Sequence, residues 1–156
     1  MELCKATNEL IPAIDALFLD TVRTVNSRDY SPEQISVWAS EGNHAEMWRR
    51  KIAEQYFIAV MDGEQLAGFA SLAENGYLDM FYVSSKHQRM GVGKILMNEL
   101  LEQALHFDLQ KVYSDVSITA RPFFEKMGFY LAEQHEKIHK GVSFTNNRME
   151  RKLDND

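Results

Sequence analysis

The sequence predicts an α+β fold in which a mixed, mostly antiparallel central sheet is flanked by helices, and three observations predict it. Two Asx-Gly pairs, Asp62-Gly63 and Asn75-Gly76, separate three apolar runs, a pattern typical of tight hairpin turns. An amphipathic segment at residues 93–107 follows these runs and precedes another strand-like segment, which requires a parallel crossover. Apolar residues also recur at three- and four-residue spacing early in the chain, which indicates helices before the hairpins.

A length of 156 residues is typical of one domain, and we expect residues 1–153 to form it, followed by a short tail at 154–156. The composition, 45% hydrophobic and 26% charged, is typical of a globular chain. Cys4 is the one cysteine, which excludes an internal disulfide and every C-x-x-C zinc or redox site. The first ten residues carry acid and lack the apolar stretch of a signal peptide, so we expect a cytoplasmic protein.

The net charge limits the kinds of partner. Lysine and arginine number 17 against 23 aspartates and glutamates, which gives a formal charge of −6. This acidic balance predicts no nucleic-acid partner and no membrane partner, because phosphate surfaces are bound by clustered lysine and arginine. A cationic acceptor fits the charge better. The sequence leaves the oligomeric state open between a monomer and a homodimer.

The first third of the chain predicts one strand and three helices. In chain order, we expect a strand at residues 1–6, a helix from a cap at 7–8 to about 25, a polar loop at 26–30, a helix from about 32, a break at 40–43 and a helix at 44–53. Ser31 and Gln34 flank Pro32 in the pattern of a capping box, which marks the start of the second helix. Pro12, Pro32 and Pro122 all lie where a helix could begin, the position that tolerates proline.

The remaining two thirds predict six strands and two helices. In chain order, we expect strands at 56–61, 66–73 and 77–83, a helix at 93–107, a strand at 111–117, a short helix at 119–127, and strands at 129–140 and 142–153. Gly128 follows the short helix as a C-terminal cap would, and Gly141 lies in the turn of the last hairpin.

Residues 83–94, VSSKHQRMGVGK, predict a loop that binds an anion between a strand and a helix. Gly91 and Gly93 let the backbone approach a ligand closely, and the helix that follows adds its positive end. Arg89 and Lys94 can pair with anionic oxygens. Leu96 stands where a Rossmann motif needs glycine, and Ile95 follows Lys94 where a Walker A motif needs serine or threonine, so neither nucleotide motif is present.

Three segments carry a resemblance to a known family. Residues 88–93, QRMGVG, resemble the Q/R-x-x-G-x-G/A motif of the GNAT N-acetyltransferase superfamily. Residues 78–83, LDMFYV, resemble its fourth strand, and residues 120–129, ARPFFEKMGF, resemble its A-x-x-F-Y-x-K-x-G-F segment. The chain is thereby identified as similar to small bacterial single-domain members of that superfamily.

The resemblance implies a GNAT-like sheet whose strands 4 and 5 splay apart to form a cleft. It implies acetyl-CoA as the acyl-donor cosubstrate and no metal, with loop amides around the pyrophosphate and the pantetheine arm between the splayed strands. The residues that these roles assign to cofactor binding are Phe81, Tyr82, Val83, Gln88, Arg89, Met90, Gly91, Val92, Gly93, Lys94, Ser117, Phe123, Phe124 and Lys126.

The implied chemistry is direct attack of an amine on the thioester. An alkyl ammonium has a pKa of about 10.4, so a base is useful at neutral pH. Asp79 occupies the strand position where many members carry glutamate, and it is predicted to be the base, through water, or to orient the ammonium. Phe124 stands where the family usually has a tyrosine acid. The candidate replacement hydroxyls are Ser117, which is predicted to be catalytic, and Tyr82, Tyr113 and Tyr130.

The acceptor pocket is expected from the first helices and the last hairpin. The residues assigned to it are Tyr30, Trp38, Asp79, Phe144 and Asn146. Trp38 and Trp48 lie at helical positions that are more often core than pocket. His135 and His139 are spaced to share a strand face, so they do not indicate a metal site.

The leading hypothesis is an N-acetyltransferase that moves an acetyl group from acetyl-CoA to a primary amine of a small molecule or peptide. Phe124 motivates the alternative of a non-catalytic acyl-CoA-binding or sensing domain on the same fold. A toxin-like member that acylates charged tRNA is disfavoured by the acidic charge. An anion-binding interaction module, in which the glycines form only a turn, is the alternative outside the family.

Overall fold

The computed structural model describes residues 1–40 and 42–153. Glu41, inside the predicted break, and the predicted tail at 154–156 lie outside the described residues. The strands are β1 (Glu2–Lys5), β2 (Tyr56–Asp62), β3 (Gln65–Leu72), β4 (Leu78–Val83), β5 (Lys111–Val116), β6 (Tyr130–His139) and β7 (Val142–Lys152). The helices are α1 (Ile11–Thr24), α2 (Pro32–Trp38), α3 (Ala45–Glu54), α4 (Val92–His106) and α5 (Arg121–Lys126).

The strands form two antiparallel sheets, in the orders β1-β2-β3-β4 and β5-β7-β6. Within the described residues, one parallel bridge between Tyr77 and Tyr113 joins the sheets, and the Ser114 hydroxyl donates to the Leu78 carbonyl nearby at 2.7 Å. No other pairing links β4 to β5 in that part of the chain, so the two strands diverge toward their carboxyl ends. The predicted α+β class and the splayed strands are confirmed.

The helix starts follow the sequence signals with two corrections. Ser31 and Gln34 form the predicted capping box, and each of the three prolines lies in the first turn of a helix. The predicted cap at residues 7–8 of the first α-helix is wrong, because a 3-10 turn at Asn8–Leu10 precedes α1. Pro12 has no N–H to donate to the Asn8 carbonyl, so the α-helical ladder cannot include that turn.

The second correction concerns residues 26–30, which the sequence predicts to be a polar loop. Asn26–Arg28 instead form a 3-10 turn, and Asn26 is 6% exposed. The other predicted boundaries lie within a residue or two of the observed ones. For example, α4 begins at Val92 rather than at Gly93.

Apolar side chains cover both faces of the first sheet. One cluster lies between that sheet and α4, and the other between it and helices α1 to α3. Gly68 on β3 permits the close approach of α4, because a Cβ at this position would lie 2.8 Å from Val92 Cγ1. Trp48 is wholly buried and packs edge-on against Phe69, so it is a core residue, as its helical position indicates. The packing fixes the start of α4 beside the end of β4.

Candidate active site

The loop between β4 and α4 is braced by its own side chains. The Gln88 side-chain amide donates to the carbonyls of Val83, at 2.8 Å, and Ser84, at 3.3 Å. His87 is buried and its Nε2 lies 3.1 Å from an Asp62 carboxylate oxygen at the end of β2. These contacts hold the loop in one shape and occupy the Gln88 amide nitrogen with loop carbonyls.

The backbone amides of the same loop have no protein acceptors within residues 1–40 and 42–153. Arg89 and Gly91 have φ of 60° and 86°, the left-handed conformation that turns successive N–H groups toward one side. Among the described residues, the amides of residues 88–94 find no hydrogen-bond acceptor. A Cβ on Gly91 would meet nothing within 4 Å, which leaves room for a ligand against the backbone. The geometry therefore matches the predicted anion-binding loop at the positive end of α4.

A cleft of about 770 Å³ opens in front of these amides, between the diverging strands β4 and β5. Thirteen of the fourteen residues that the sequence assigns to cofactor binding line it. Met90 does not, and its side chain is 51% exposed on the outside of the loop. On the cleft side of β4, the Val83 carbonyl already accepts hydrogen bonds from Gln88 and from Thr21, at 3.2 Å, so it has no free lone pair for a ligand.

The floor of the cleft is aromatic. Phe124 is 2% exposed and packs against Phe81, Phe123 and Phe129, with ring centroids 5.0 to 6.1 Å apart. A Cβ on Gly93 would lie 3.1 Å from Phe123 Cζ, so glycine lets this ring pack on the first turn of α4. The position where the family has tyrosine is therefore part of an apolar cluster in this chain.

Asp79 lies at an irregularity of β4. Met80 pairs with Ser71 and Leu78 with Leu72, which leaves Asp79 as the extra residue of a β-bulge. Its side chain is 15% exposed and lines the cleft. One carboxylate oxygen, Oδ2, accepts from Lys51 Nζ at 2.5 Å and from Gln55 Nε2 at 2.9 Å, both on or next to α3. In the described part of the chain, Oδ1 has no hydrogen-bond donor and is free to bind a ligand or water.

A second cavity of about 300 Å³ adjoins the cleft on the side of the last hairpin. Tyr30, Trp38, Phe144 and Asn146 line it, so it gathers four of the five residues predicted to bind the acceptor. The fifth, Asp79, lines the cleft instead. Three residues, Trp38, Asp115 and Ser117, line both spaces, so the two cavities adjoin each other.

Two of the four candidate hydroxyls face the cleft. Tyr82 and Ser117 line it, whereas the hydroxyl of Tyr130 donates to Glu150 on an exposed part of β7 and Tyr113 lies outside the lining. Burial raises the pKa of the Tyr82 hydroxyl well above its usual value, with a smaller lowering by a hydrogen bond to Trp38. Ser117 Oγ accepts from the Ala120 amide at 3.1 Å, so its own proton remains available.

Four residues of the site escape the sequence reasoning. Lys51 and Gln55 hold Asp79 across the helix–strand interface, a contact that no local pattern indicates. Tyr77 donates to Asp115 Oδ2 at 3.2 Å, and both line the second cavity. Asp115 does carry a signal, because alternation along β5 places it on the same strand face as Ser117. Burial, with Asp115 and Asp79 nearby, raises the pKa of the Tyr77 hydroxyl strongly.

Two further properties concern the described residues as a group. Residues 1–40 and 42–153 contain no cluster of three or more histidine, cysteine, aspartate or glutamate side chains that could hold a metal ion. None of the helices in those ranges combines the length and the apolar character needed to cross a bilayer.

The glycine-containing loop before α4, the splayed strands and the two adjoining cavities together define a GNAT-type fold. The family model of the acetyltransferase (GNAT) domain matches residues 26–151. YafP, an uncharacterized N-acetyltransferase of Escherichia coli K12, is 35% identical over 132 residues, which cover 84% of this chain and 82% of YafP. The chain belongs to the GNAT acetyltransferase family, and the resemblance carried by residues 78–129 is confirmed.

Solved structures give the same fold. The crystal structure of a GCN5-related N-acetyltransferase from Rhodopseudomonas palustris matches with a TM-score of 0.92 at 25% identity, over 97% of this chain and 95% of that chain. PaiA N-acetyltransferase from Thermoplasma acidophilum, in complex with coenzyme A, matches with a TM-score of 0.80 at 19% identity, over 97% of this chain and 98% of that chain. The fold class predicted from the sequence is that of both proteins.

Proposed function

We propose that residues 1–153 form an N-acetyltransferase that moves an acetyl group from acetyl-CoA to a primary amine of a small molecule or peptide. The observation that carries the proposal is the run of unpartnered amides at residues 88–94, in a loop lining a cleft that adjoins a second cavity. A donor bound at the amides and an acceptor in the second cavity would meet at the shared border. PaiA, a protein of the same fold, binds coenzyme A, which supports this donor.

The residues present fit a diphosphate ligand at the loop. The amides of residues 88–94 supply donors that lack protein acceptors, and Arg89 and Lys94 add positive charge at the cleft. The aromatic floor at Phe81, Phe123 and Phe124 suits the apolar parts of a pantetheine arm. When bound, the cosubstrate supplies an activated acyl group, and the strands orient it toward the second cavity.

In the proposed reaction, the acceptor nitrogen forms a bond to the acyl carbon while the carbon–sulfur bond breaks. The amine must first lose a proton, and Asp79 Oδ1 receives it through water, because Lys51 and Gln55 occupy only Oδ2. A backbone amide of β4 stabilises the negative charge that develops on the acyl oxygen. Coenzyme A leaves as a thiolate, and a thiol pKa of about 8.5 means that this step needs little help from an acid.

Phe124 supports a second candidate function, a domain that binds acyl-CoA without transferring the acyl group. The site lacks the tyrosine that the family usually offers at this position, and burial raises the pKa of the Tyr82 hydroxyl, which makes it a weak proton donor. Of the four candidate hydroxyls, Ser117 is the one that lines both cavities, so it is the remaining candidate for the acid that Phe124 cannot supply.

The experiment that separates the two candidates measures release of free thiol from acetyl-CoA with a panel of primary amines and confirms each product by mass. We expect amine-dependent thiol release above the rate of hydrolysis without amine. A rise in the melting temperature with coenzyme A, together with no turnover of any amine, would favour the non-catalytic function. If the protein neither binds coenzyme A nor turns over any amine, both candidate functions are contradicted.

A further inference from the structure

Two carboxylates lie at or near the border between the two cavities, and each is already paired with a basic side chain, Asp79 with Lys51 and Asp115 with Arg148. Asp79 lines the cleft and Asp115 lines both spaces, one from each of the two diverging strands. Asp115 accepts from Arg148 Nε at 3.0 Å, which fixes its carboxylate in place. An acceptor enters as an ammonium ion at neutral pH, and Asp79 Oδ1, which has no hydrogen-bond donor in the described part of the chain, can accept from it.

The middle of the second cavity is aromatic. Tyr30 and Trp38 meet edge-on with centroids 5.1 Å apart, and Phe144 lies 6.3 Å from Tyr30 and 6.4 Å from Trp38. The Tyr30 hydroxyl accepts from the Ile118 amide at 2.8 Å, which orients the ring. Three rings held in this way offer an apolar wall to the body of an acceptor.

The rim of the second cavity toward the turn of the last hairpin is basic. Lys137 and His139 line the second cavity without lining the first, and as alternate residues of β6 they lie on the same strand face. Lys137 is paired in register with Phe144, so it lies beside the aromatic wall. Among residues 1–40 and 42–153, neither side chain forms an ion pair or a side-chain hydrogen bond with the protein.

We propose that the acceptor is a small amine with an apolar or aromatic body and a carboxylate at the end opposite the amine. The inference rests on the proposed acetyl transfer and on the arrangement of the carboxylate, aromatic and basic groups described above. The amine lies at the carboxylate border, the body lies against the three rings, and the acceptor carboxylate meets Lys137 and His139. The cavity of about 300 Å³ has the volume of about ten water molecules at ~30 Å³ each, which suits a molecule of amino-acid size.

A charge series on one body tests the proposal. The acceptors 4-(aminomethyl)benzoate, 4-(aminomethyl)benzamide and 4-(aminomethyl)benzylamine share the reacting amine and the ring, and they place a negative, neutral or positive group at the far end. We expect kcat/KM to fall in that order, by about fivefold per step as for a solvent-exposed ion pair, with most of the change in KM.

A matched pair of variants assigns the effect to the rim. Lys137→Gln removes the charge beside Phe144, and we expect it to abolish most of the difference between the benzoate and the benzamide. Lys140→Gln removes the same charge from the turn of the same hairpin, outside the residues that line the cavity, and we expect it to leave the difference intact.

The outcomes separate this inference from the function on which it rests. Equal kcat/KM for the three acceptors, a preference for the diamine, or turnover of other amines but none of the three would overturn the inference alone. An unchanged benzoate preference in Lys137→Gln would also overturn it. Absence of turnover with every amine would contradict the proposed acetyl transfer, and the inference would fall with it.

Discussion

Asp79→Asn is expected to lower kcat/KM for an amine acceptor by about a hundredfold or more at pH 7.5, the usual effect of losing a general base. The amide keeps the shape of the carboxylate at the bulge of β4 but cannot take a proton from water at Oδ1. The affinity for coenzyme A, measured by calorimetry, should change less than twofold, because the amides proposed to hold the diphosphate follow the end of β4, whereas Asp79 lies near its start.

The pH dependence distinguishes a base from an orienting carboxylate. An acceptor amine with a pKa of about 10.4 is roughly one part in a thousand free base at pH 7.5 and one part in ten at pH 9.5. A defect in proton removal should therefore shrink as the pH rises, whereas a defect in orientation should persist. Asp15→Asn is the matched control, since Asp15 is also half-buried and bonded, to Trp48 at 2.9 Å, but lies outside both cavities. Full activity of Asp79→Asn at neutral pH would remove Asp79 from the mechanism.

Gly91→Ala is expected to weaken coenzyme A binding at least tenfold. Gly91 has φ of 86°, and an L-residue in that conformation costs about 1–2 kcal/mol. The loop can relieve this strain by rotating the amides that converge on the ligand, and the added methyl group occupies the open space in front of the backbone. Isothermal titration with coenzyme A measures the loss directly.

Gly141→Ala provides the control for backbone strain. Gly141 has φ of 80°, and a Cβ there would also meet nothing within 4 Å, but it lies in the turn of the β6–β7 hairpin. Both variants should lose a similar free energy of unfolding, while only Gly91→Ala should lose affinity. Equal affinities in the two variants would show that the loop backbone does not hold the cosubstrate.

The parts of the fold that the sequence predicts well are set by local chemistry. The two Asx-Gly turns fix the β2–β3–β4 meander because glycine at each turn adopts a positive φ, 62° at Gly63 and 97° at Gly76. The capping box at Ser31 fixes the start of α2 in the same local way. The 3-10 turns were missed because they depend on which carbonyls find donors near Pro12 and Asn26, which apolar spacing does not encode.

The same distinction between local sequence signals and tertiary contacts applies to the site. The position and backbone shape of the glycine-containing loop could be predicted because glycine spacing and the strand-to-helix order lie within twelve consecutive residues. The Asp79–Lys51–Gln55 contact could not, because it depends on the bulge that turns one side chain toward α3. The second cavity likewise joins residues from α2, β5 and the last hairpin, which meet only after the second sheet has formed.

We propose that backbone amides at the start of α4 bind the diphosphate of the cosubstrate. Calorimetric titration with coenzyme A and with pantetheine, which lacks the diphosphate and the nucleotide, tests it most directly. We predict one coenzyme A site per chain and an affinity for pantetheine at least a hundredfold weaker. Absence of heat with coenzyme A, or equal affinity for the two ligands, would contradict the claim.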